Sequence, residues 1–411
     1  MKPELYPRHI QPLIIEALED TPVVLIHGPR QSGKTTLAKV VGEPMGFEYF
    51  SFDNPALRSS AHEDPVGFVE MLPPRAILDE VQKVPSLFES LKDAVDRGRR
   101  PGRFIMTGSA NVLLVPRLSD SLAGRMEVLR LRPLAQCEIE KTGGRFLGNL
   151  LEGNLPEIHR GRLGVDLARR IVAGGYPEPL GRTSEARRRR WYDNYLETLV
   201  ERDIRDLANI HGGAELPRLL KALSQRTAQL LNVSDLASPF QLSRPTVQGY
   251  AGHLERLFLI ETLPAWHPNR GKRLIKTPKT HVSDTGLAAS LLGLSQGSLM
   301  RDRKLLGHLC ETFVHGELRR QAGWAVERTD FYHFRDRDGY EVDLVIESGN
   351  GVMGIETKVS GTVSAGDFRG LKRLRKTAGG RFTMGVVLYD GEHLLPFGEG
   401  LSAVPISALL S

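Results

Sequence analysis

Residues 22–26, Pro-Val-Val-Leu-Ile, are apolar without alternation, the pattern of a short strand covered on both faces. Four further runs of this kind follow at 47–52, 76–78, 103–107 and 126–131, separated by segments with helical spacing. Five buried strands alternating with helices predict an α/β architecture, a doubly wound and mostly parallel sheet with its ligand site at the strands' carboxyl ends. Past residue 135 the pattern changes. Helical periodicity runs over 191–207, 216–231 and 242–257, with a shorter helix opening at 232 behind Ser234 as N-cap, and a strand follows at 259–263. Strand-like segments return at 332–334, 340–347 and 352–359, the last two joined by Ser348-Gly349-Asn350-Gly351.

The first strand runs into Gly28-Pro29-Arg30-Gln31-Ser32-Gly33-Lys34-Thr35-Thr36 and then into a helix. This is G-x-x-x-x-G-K-[ST] between a strand and a helix, a P-loop in its proper context. The glycines let successive N–H groups of residues 28–36 point at ATP phosphates, and the helix N-terminus adds its positive dipole end. Lys34 is expected on the β- and γ-phosphates and Thr35 on Mg²⁺. The strand at 76–78 ends in Asp79-Glu80, placing Asp79 in the Mg²⁺ shell and Glu80 beside the attacking water. After the next strand, Ser109 and Asn111 compete for a γ-phosphate-sensing role. Arg125 offers a guanidinium to transition-state charge, in cis or across a subunit boundary; its other reading is a structural ion pair.

The chain's 411 residues predict two or three domains. Two cysteines, Cys137 and Cys310, far apart in sequence, exclude a disulfide framework and suit a reducing cytoplasm. The N-terminus lacks a signal-peptide core and no apolar run approaches a membrane span, so no membrane partner is expected. The formal charge is +6 and unevenly placed. Residues 160–190 hold nine arginines and three acids, ending in Arg187-Arg188-Arg189-Arg190, while Arg270, Lys272, Arg273, Lys276 and Lys279 form a cluster without an acid. Such patches neutralise phosphates and favour DNA as partner, against a solvated face or an acidic protein neighbour.

A helix, a turn and a helix opening Ser243-Arg244-Pro245-Thr246 have helix-turn-helix grammar. Arg244, Thr246 and Gln248, with His253 beyond them, would face a major groove, and Arg270, Lys272 and Arg273 would form a basic wing. At the C-terminal end, pairing of Glu347 with Val352 would set Asp343 opposite Glu356, with Lys358 on the same face as Glu356. Two opposed carboxylates repel unless a cation lies between them. Glu311, from a helix at 309–320, would complete a shell for a second divalent cation, Mg²⁺ or Mn²⁺, and Lys358 would steady a hydroxide or the scissile phosphate. The alternative for Glu356 and Lys358 is a surface ion pair.

The segments GPRQSGKTTL, FDNPALR, LDEVQKVP, TGSAN and AGR, in that order, resemble a family of prokaryotic ATP-binding proteins. These carry an N-terminal AAA-superfamily ATPase domain followed by a domain of unknown function. The likeness continues through GGYPEP, WYDNYLETLVERDIRDL, LSRPTVQGY, KTPKTHVSDTGL, ETFVHGEL, EVDLVIE and GIETKVS, and so spans nearly the whole chain. Asp343, Glu356-Thr357-Lys358 and an upstream Glu further resemble the D…ExK pattern of restriction-endonuclease-like folds. The resemblance implies an ATPase that assembles as a homo-oligomer. The expected domains are an ATPase over 1–135, a helical, arginine-rich linker over 136–207, a winged helix over 208–298 and an α/β restriction-endonuclease-like domain over 299–411. The expected function is a Mg²⁺-dependent ATPase that binds DNA and cuts it with the C-terminal domain. The competing readings are a nucleotide-dependent switch acting on a protein partner, and a DNA-binding regulator with an inert C-terminal domain.

Overall fold

The computed structural model describes residues 5–109, 122–158, 160–199, 215–273 and 276–411. Asn111, the end of the helix expected at 191–207, and Leu274-Ile275 of the expected wing lie outside them. The chain divides into two units, Met1–Leu134 with Arg256–Phe258, and Ala135–Glu255 with Leu259–Ser411.

The first unit contains strands β1 (Val23–His27), β2 (Glu48–Ser51), β3 (Ala76–Asp79), β4 (Phe104–Gly108) and β5 (Met126–Arg130). They form a fully parallel sheet in the order β2-β3-β4-β1-β5. Alternate residues of β1 serve two cores. Val23 and Leu25 pack with Phe52, Phe88, Phe104 and Met106, while Val24 and Ile26 pack with Ile14, Leu37, Val41, Ile77 and Ile105. Burial of both faces explains why these strands read as continuous apolar runs.

The second unit opens with helices, among them Val165–Ala173 and Glu185–Leu199. Arg187–Arg190 therefore lie inside a helix that begins before Trp191. Three helices, Glu215–Gln225, Val233–Phe240 and Arg244–Arg256, then accompany a small sheet of β6 (Gln229–Leu230), β7 (Ile260–Leu263) and β8 (Lys279–Val282) in the order β6-β8-β7. The helix expected to run to residue 231 stops at Gln225, because the Ala228 and Leu231 N–H groups bond to the carbonyls of Thr280 in β8 and Pro278 just before it. Asn232, not Ser234, caps the next helix, its side chain accepting from Ser234 N and Asp235 N. Arg270–Arg273 form a 3₁₀ turn.

A six-stranded mixed sheet closes the unit: β9 (Asp330–Arg335), β10 (Glu341–Ser348), β11 (Gly351–Lys358), β12 (Phe382–Tyr389), β13 (Leu395–Pro396) and β14 (Leu401–Pro405), ordered β13-β14-β12-β11-β10-β9. The long helix Arg303–Gln321 precedes it, and Arg369–Ala378 lies between β11 and β12. Glu347 pairs with Val352, as the hairpin loop predicts.

Several of the motifs carrying the family resemblance meet in one buried knot. Asp284, fully buried, accepts from Gly175 N (2.7 Å), Gly286 N (3.0 Å), Leu287 N (3.1 Å), Tyr192 OH (3.1 Å) and Arg320 Nη2 (3.5 Å). Glu317 binds Arg320 in turn at 2.9 Å. Gly174 has φ +71° and an added Cβ would sit 2.3 Å from Asp284 Oδ1, so this turn requires glycine on both counts.

Candidate functional site

The loop after β1 is shaped by three residues in the left-handed region: Gly28 (φ +157°), Gln31 (φ +59°) and Gly33 (φ +96°). A Cβ on Gly28 would lie 2.1 Å from Leu131 O, so only glycine lets the loop pass that close to the chain after β5. Ser32 Oγ donates to Pro29 O at 2.9 Å, and Arg8, outside the motif, donates to Ser32 O at 2.8 Å and Arg132 O at 2.6 Å. Gly33 then caps the helix Lys34–Gly42, whose first N–H groups have no partners within the helix. Lys34 is buried and its ammonium donates to Pro29 O at 2.8 Å, folded along the loop it would leave to meet a phosphate. Thr36 is exposed and Arg30 half-buried.

Asp79 ends β3 and gathers three hydroxyls. Thr35 Oγ1 lies 2.9 Å from Oδ1, Tyr49 OH donates to Oδ2 at 2.7 Å, and Thr107 Oγ1 donates to Oδ1. Burial, followed by the bond to Asp79, pushes the Tyr49 phenol up to about 12, so it stays a donor. Its ring lies 3.5 Å from the Lys39 ammonium. The Thr35 hydroxyl and Asp79 carboxylate thus form a hard-oxygen pair next to the loop, a donor set that suits Mg²⁺. Glu80 has φ +60°, costing a non-glycine residue on the order of 1 kcal/mol. This turns its carboxylate away from Asp79 and onto Ser109, whose Oγ donates at 2.8 Å, and onto the Gln82 amide. Gln82 also donates to Ser109 Oγ at 3.0 Å. Behind the loop, burial and then Arg130 lower His27 to about 4, which keeps it uncharged.

The sequence pattern names Lys34, Thr35, Asp79, Glu80 and Ser109, and all five lie at one end of the sheet. Tyr49, Thr107, Gln82 and Arg8 escape it. Only the parallel register Ser51↔Asp79 and the adjacency of β3 to β4 bring Tyr49 and Thr107 to Asp79. Arg125 lies at the other end. It precedes β5, where Met126 pairs with Val23, and six residues of strand put it about 20 Å from Leu131 beside the loop. Its guanidinium makes a bidentate pair with Asp96, at 2.5 and 2.9 Å, which holds the Asp96 carboxyl below its usual range. The cis role is thereby corrected, since the arginine cannot reach its own chain's loop.

The second unit brings Glu311, Asp343, Glu356 and Lys358 together. Asp343 sits where β10 gains an extra residue against β9, between the pairs Val342↔Phe334 and Val345↔Tyr332, a bulge that re-aims the side chain. Its Oδ2 accepts from Thr357 N at 2.9 Å, and Lys358 Nζ donates to Glu356 Oε1 at 3.1 Å. Burial and then Asp343 push the Glu356 carboxyl up to about 8, and the same two causes raise Glu311. Lys279 of β8 reaches into this group, 2.6 Å from Glu311 Oε1 and 3.4 Å from Asp343 Oδ1. Burial opposes its charge, but Glu311 and Asp343 prevail and hold its pKa above the ordinary range. Among the described residues, no group of three or more His, Cys, Asp or Glu is arranged to hold a metal ion.

The cationic patches are partly ion-paired. Arg160 pairs with Glu140, Arg162 with Asp390, Arg169 and Arg170 with Asp166, and Arg182 with Glu178. Arg273, expected on the wing, is buried, 2.6 Å from Glu347 Oε2 and bonded to His267 O, which corrects its assignment to DNA. Arg187, Arg190, Arg244, Gln248, Arg270 and Lys272 are exposed, while Thr246 is half-buried beside Ser243. No helix among the described residues is long and apolar enough to cross a membrane.

A family model described as an AAA domain matches residues 20–140. Two models described as domains of unknown function, DUF8612 and DUF4143, match residues 164–298 and 306–409. Uncharacterized proteins of Mycobacterium tuberculosis and Mycobacterium bovis are each 30% identical over 397 residues, 96% of this chain and 82% of theirs. Among solved structures, the Walker-type ATPase of Pyrococcus abyssi is 15% identical with a TM-score of 0.44, covering 71% of this chain and 97% of its own. The Thermotoga maritima RuvB Holliday junction branch migration motor is 19% identical with a TM-score of 0.30, covering 62% and 89%.

Proposed function

We propose that this chain, which belongs to the family of AAA-domain proteins that includes the two mycobacterial relatives, is a Mg²⁺-dependent ATPase that couples nucleotide turnover to its hold on duplex DNA. The observation that carries the ATPase reading is the convergence of Lys34, Thr35, Asp79, Glu80 and Ser109 at the carboxyl end of one parallel sheet. Residues 28–36 would cradle the phosphates through backbone N–H groups, with Lys34 leaving Pro29 O to meet the β- and γ-phosphates. Thr35 and Asp79 would hold Mg²⁺, which neutralises phosphate charge when bound. Glu80 would orient water, and Ser109, already on its carboxylate, would register whether the terminal phosphate is present. Arg125 would serve a neighbouring copy in a homo-oligomer.

Supporting the DNA reading are the winged-helix-like order of three helices and a three-stranded sheet, and the exposure of Arg244, Gln248, Arg270 and Lys272. The helix–β9–β10–β11–helix–β12 order and the Asp343–Glu356–Lys358 placement support a restriction-endonuclease-like fold for the C-terminal region. A second reading, metal-dependent DNA cleavage there, is favoured by that placement and opposed by Lys279. The test is ATP hydrolysis by wild type and Lys34→Ala, with and without duplex DNA. Turnover lost in Lys34→Ala and altered by DNA is expected. Turnover surviving in the variant refutes the ATPase assignment; a rate indifferent to DNA refutes the coupling.

A further inference from the structure

The three carboxylates that match a nuclease metal shell already have a cation among them, and it belongs to the chain. The Lys279 ammonium lies between Glu311 and Asp343, and the side chain is only 7% exposed. Its position is fixed from both ends. Lys279 pairs with Leu230 on one side and Leu263 on the other, the centre of the β6-β8-β7 sheet. Two residues on, and so on the same face of β8, His281 stacks on His315 at 4.2 Å and bonds Thr312 Oγ1 at 3.1 Å. Thr312 also bonds Thr227, at 2.8 Å. Glu311 and His315 are four apart on one helix, so Lys279–Glu311 and His281–His315 are successive rungs between strand and helix. A lysine held this way does not swing clear on its own.

Charge counting points the same way. Glu311, Asp343 and Glu356 carry three negative charges at most, and Lys279 and Lys358 return two. A divalent ion added to that set would leave excess positive charge in a largely buried place, which is costly. Part of the carboxylates' capacity is also committed, Asp343 Oδ2 to Thr357 N and Glu356 Oε2 to Asp343 N at 3.4 Å. We propose that Lys279 is the resident cation of this centre, standing where a divalent ion would bridge Glu311 and Asp343, so that the C-terminal unit holds no catalytic metal. The proposal rests on the restriction-endonuclease-like reading of this sheet. It turns the centre from a blade into a lysine-bridged joint, and the unit's contribution becomes binding rather than cutting.

The experiment is a Mn²⁺ titration of the nucleotide-free full chain, read by electron paramagnetic resonance, in an Asp79→Asn background that removes the ATPase ion site. The Lys279-intact chain should bind no Mn²⁺ at the C-terminal centre. Lys279→Met should gain one ion at a Mn²⁺ concentration at least about tenfold below the highest at which the Lys279-intact chain stays empty, and adding Glu356→Gln should abolish it. Because Lys279→Met leaves carboxylates uncompensated, thermal melts accompany the titration. A variant that folds only with Mn²⁺ reports the same site through its refolding, and Lys279→Met/Glu311→Gln restores the charge balance for a folded control. One Mn²⁺ bound by the Lys279-intact chain and lost with Glu356→Gln overturns the proposal while sparing the nuclease-like reading. Binding by neither form, with the variant folded, overturns both.

Discussion

Asp284→Ala is the substitution that best tests whether the shared motifs of the second unit are scaffolding or chemistry. The side chain is fully buried and accepts five hydrogen bonds, from Gly175 N, Gly286 N, Leu287 N, Tyr192 OH and Arg320. Two of these cap the helix Thr285–Leu291, a role worth about 0.5–2 kcal/mol. Gly175 N would be left buried without this acceptor, at about 1–3 kcal/mol. Arg320 keeps Glu317, so its loss is partial. Together the cap and the orphaned N–H give about 1.5–5 kcal/mol. At about 2–4 °C per kcal/mol, the unfolding midpoint should fall by about 3–20 °C. Differential scanning calorimetry measures the shift, and binding of a fluorescent ATP analogue at 20 °C checks the first unit. A midpoint within about 2 °C of wild type would refute the structural assignment; a normal midpoint with lost DNA response would mean that Asp284 acts at a ligand.

Arg125→Ala should lose ATP turnover alone and regain part of it when mixed with Glu80→Gln chains, since each supplies what the other lacks across a subunit boundary; no recovery rules out the trans role. Arg270→Ala/Lys272→Ala should weaken DNA binding and flatten its dependence on log salt by about 2, at 0.9 per phosphate contact; an unchanged slope means that these cations touch no phosphate. Burial, then Lys279, depresses His333 to about 4, so the unfolded chain takes up a proton near pH 6.5 that the native state refuses. Its stabilising share is therefore present above pH 6.5 and lost as pH falls towards 4, and His333→Gln, which can still donate to Thr277 O, should show a shallower fall in urea midpoint between pH 7 and 4.5. Equal slopes would place the acid sensitivity elsewhere.

How much of this was legible in the sequence depends on the distance over which the determining contact acts. The P-loop, Asp79 and Glu80 are local: a strand, a turn that needs glycine, a helix N-terminus and a strand end are each written in consecutive residues. So is the β10–β11 register, because Ser348-Gly349-Asn350-Gly351 fixes which residues oppose. Tyr49 and Thr107 were not legible, since the order β2-β3-β4-β1-β5 is set by crossovers that no local pattern encodes. The helix boundary at Gln225 failed for the same reason, Ala228 and Leu231 finding backbone partners some 50 residues away.

Charge was the least legible property, and the reason is physical. A run of arginines in sequence raises the local charge only if its counter-charges are distant in space. Here Arg160, Arg162 and Arg170 find Glu140, Asp390 and Asp166, one of them more than 200 residues away, and Arg273 finds Glu347. An arginine's long stem lets it pair with a carboxylate on another element while its neighbours in sequence stay solvated. Lys279 is the extreme case: the last member of an acid-free basic cluster, it becomes a buried counter-ion between Glu311 and Asp343. Within the two basic runs, Arg187 and Arg190 on one helix and Arg270 and Lys272 in a 3₁₀ turn stay exposed, while Arg160, Arg162 and Arg169 stay exposed beside their carboxylates. A carboxylate already beside an arginine lowers what that arginine adds to phosphate binding, so the salt dependence contributed by these two runs should be smaller than their formal charge.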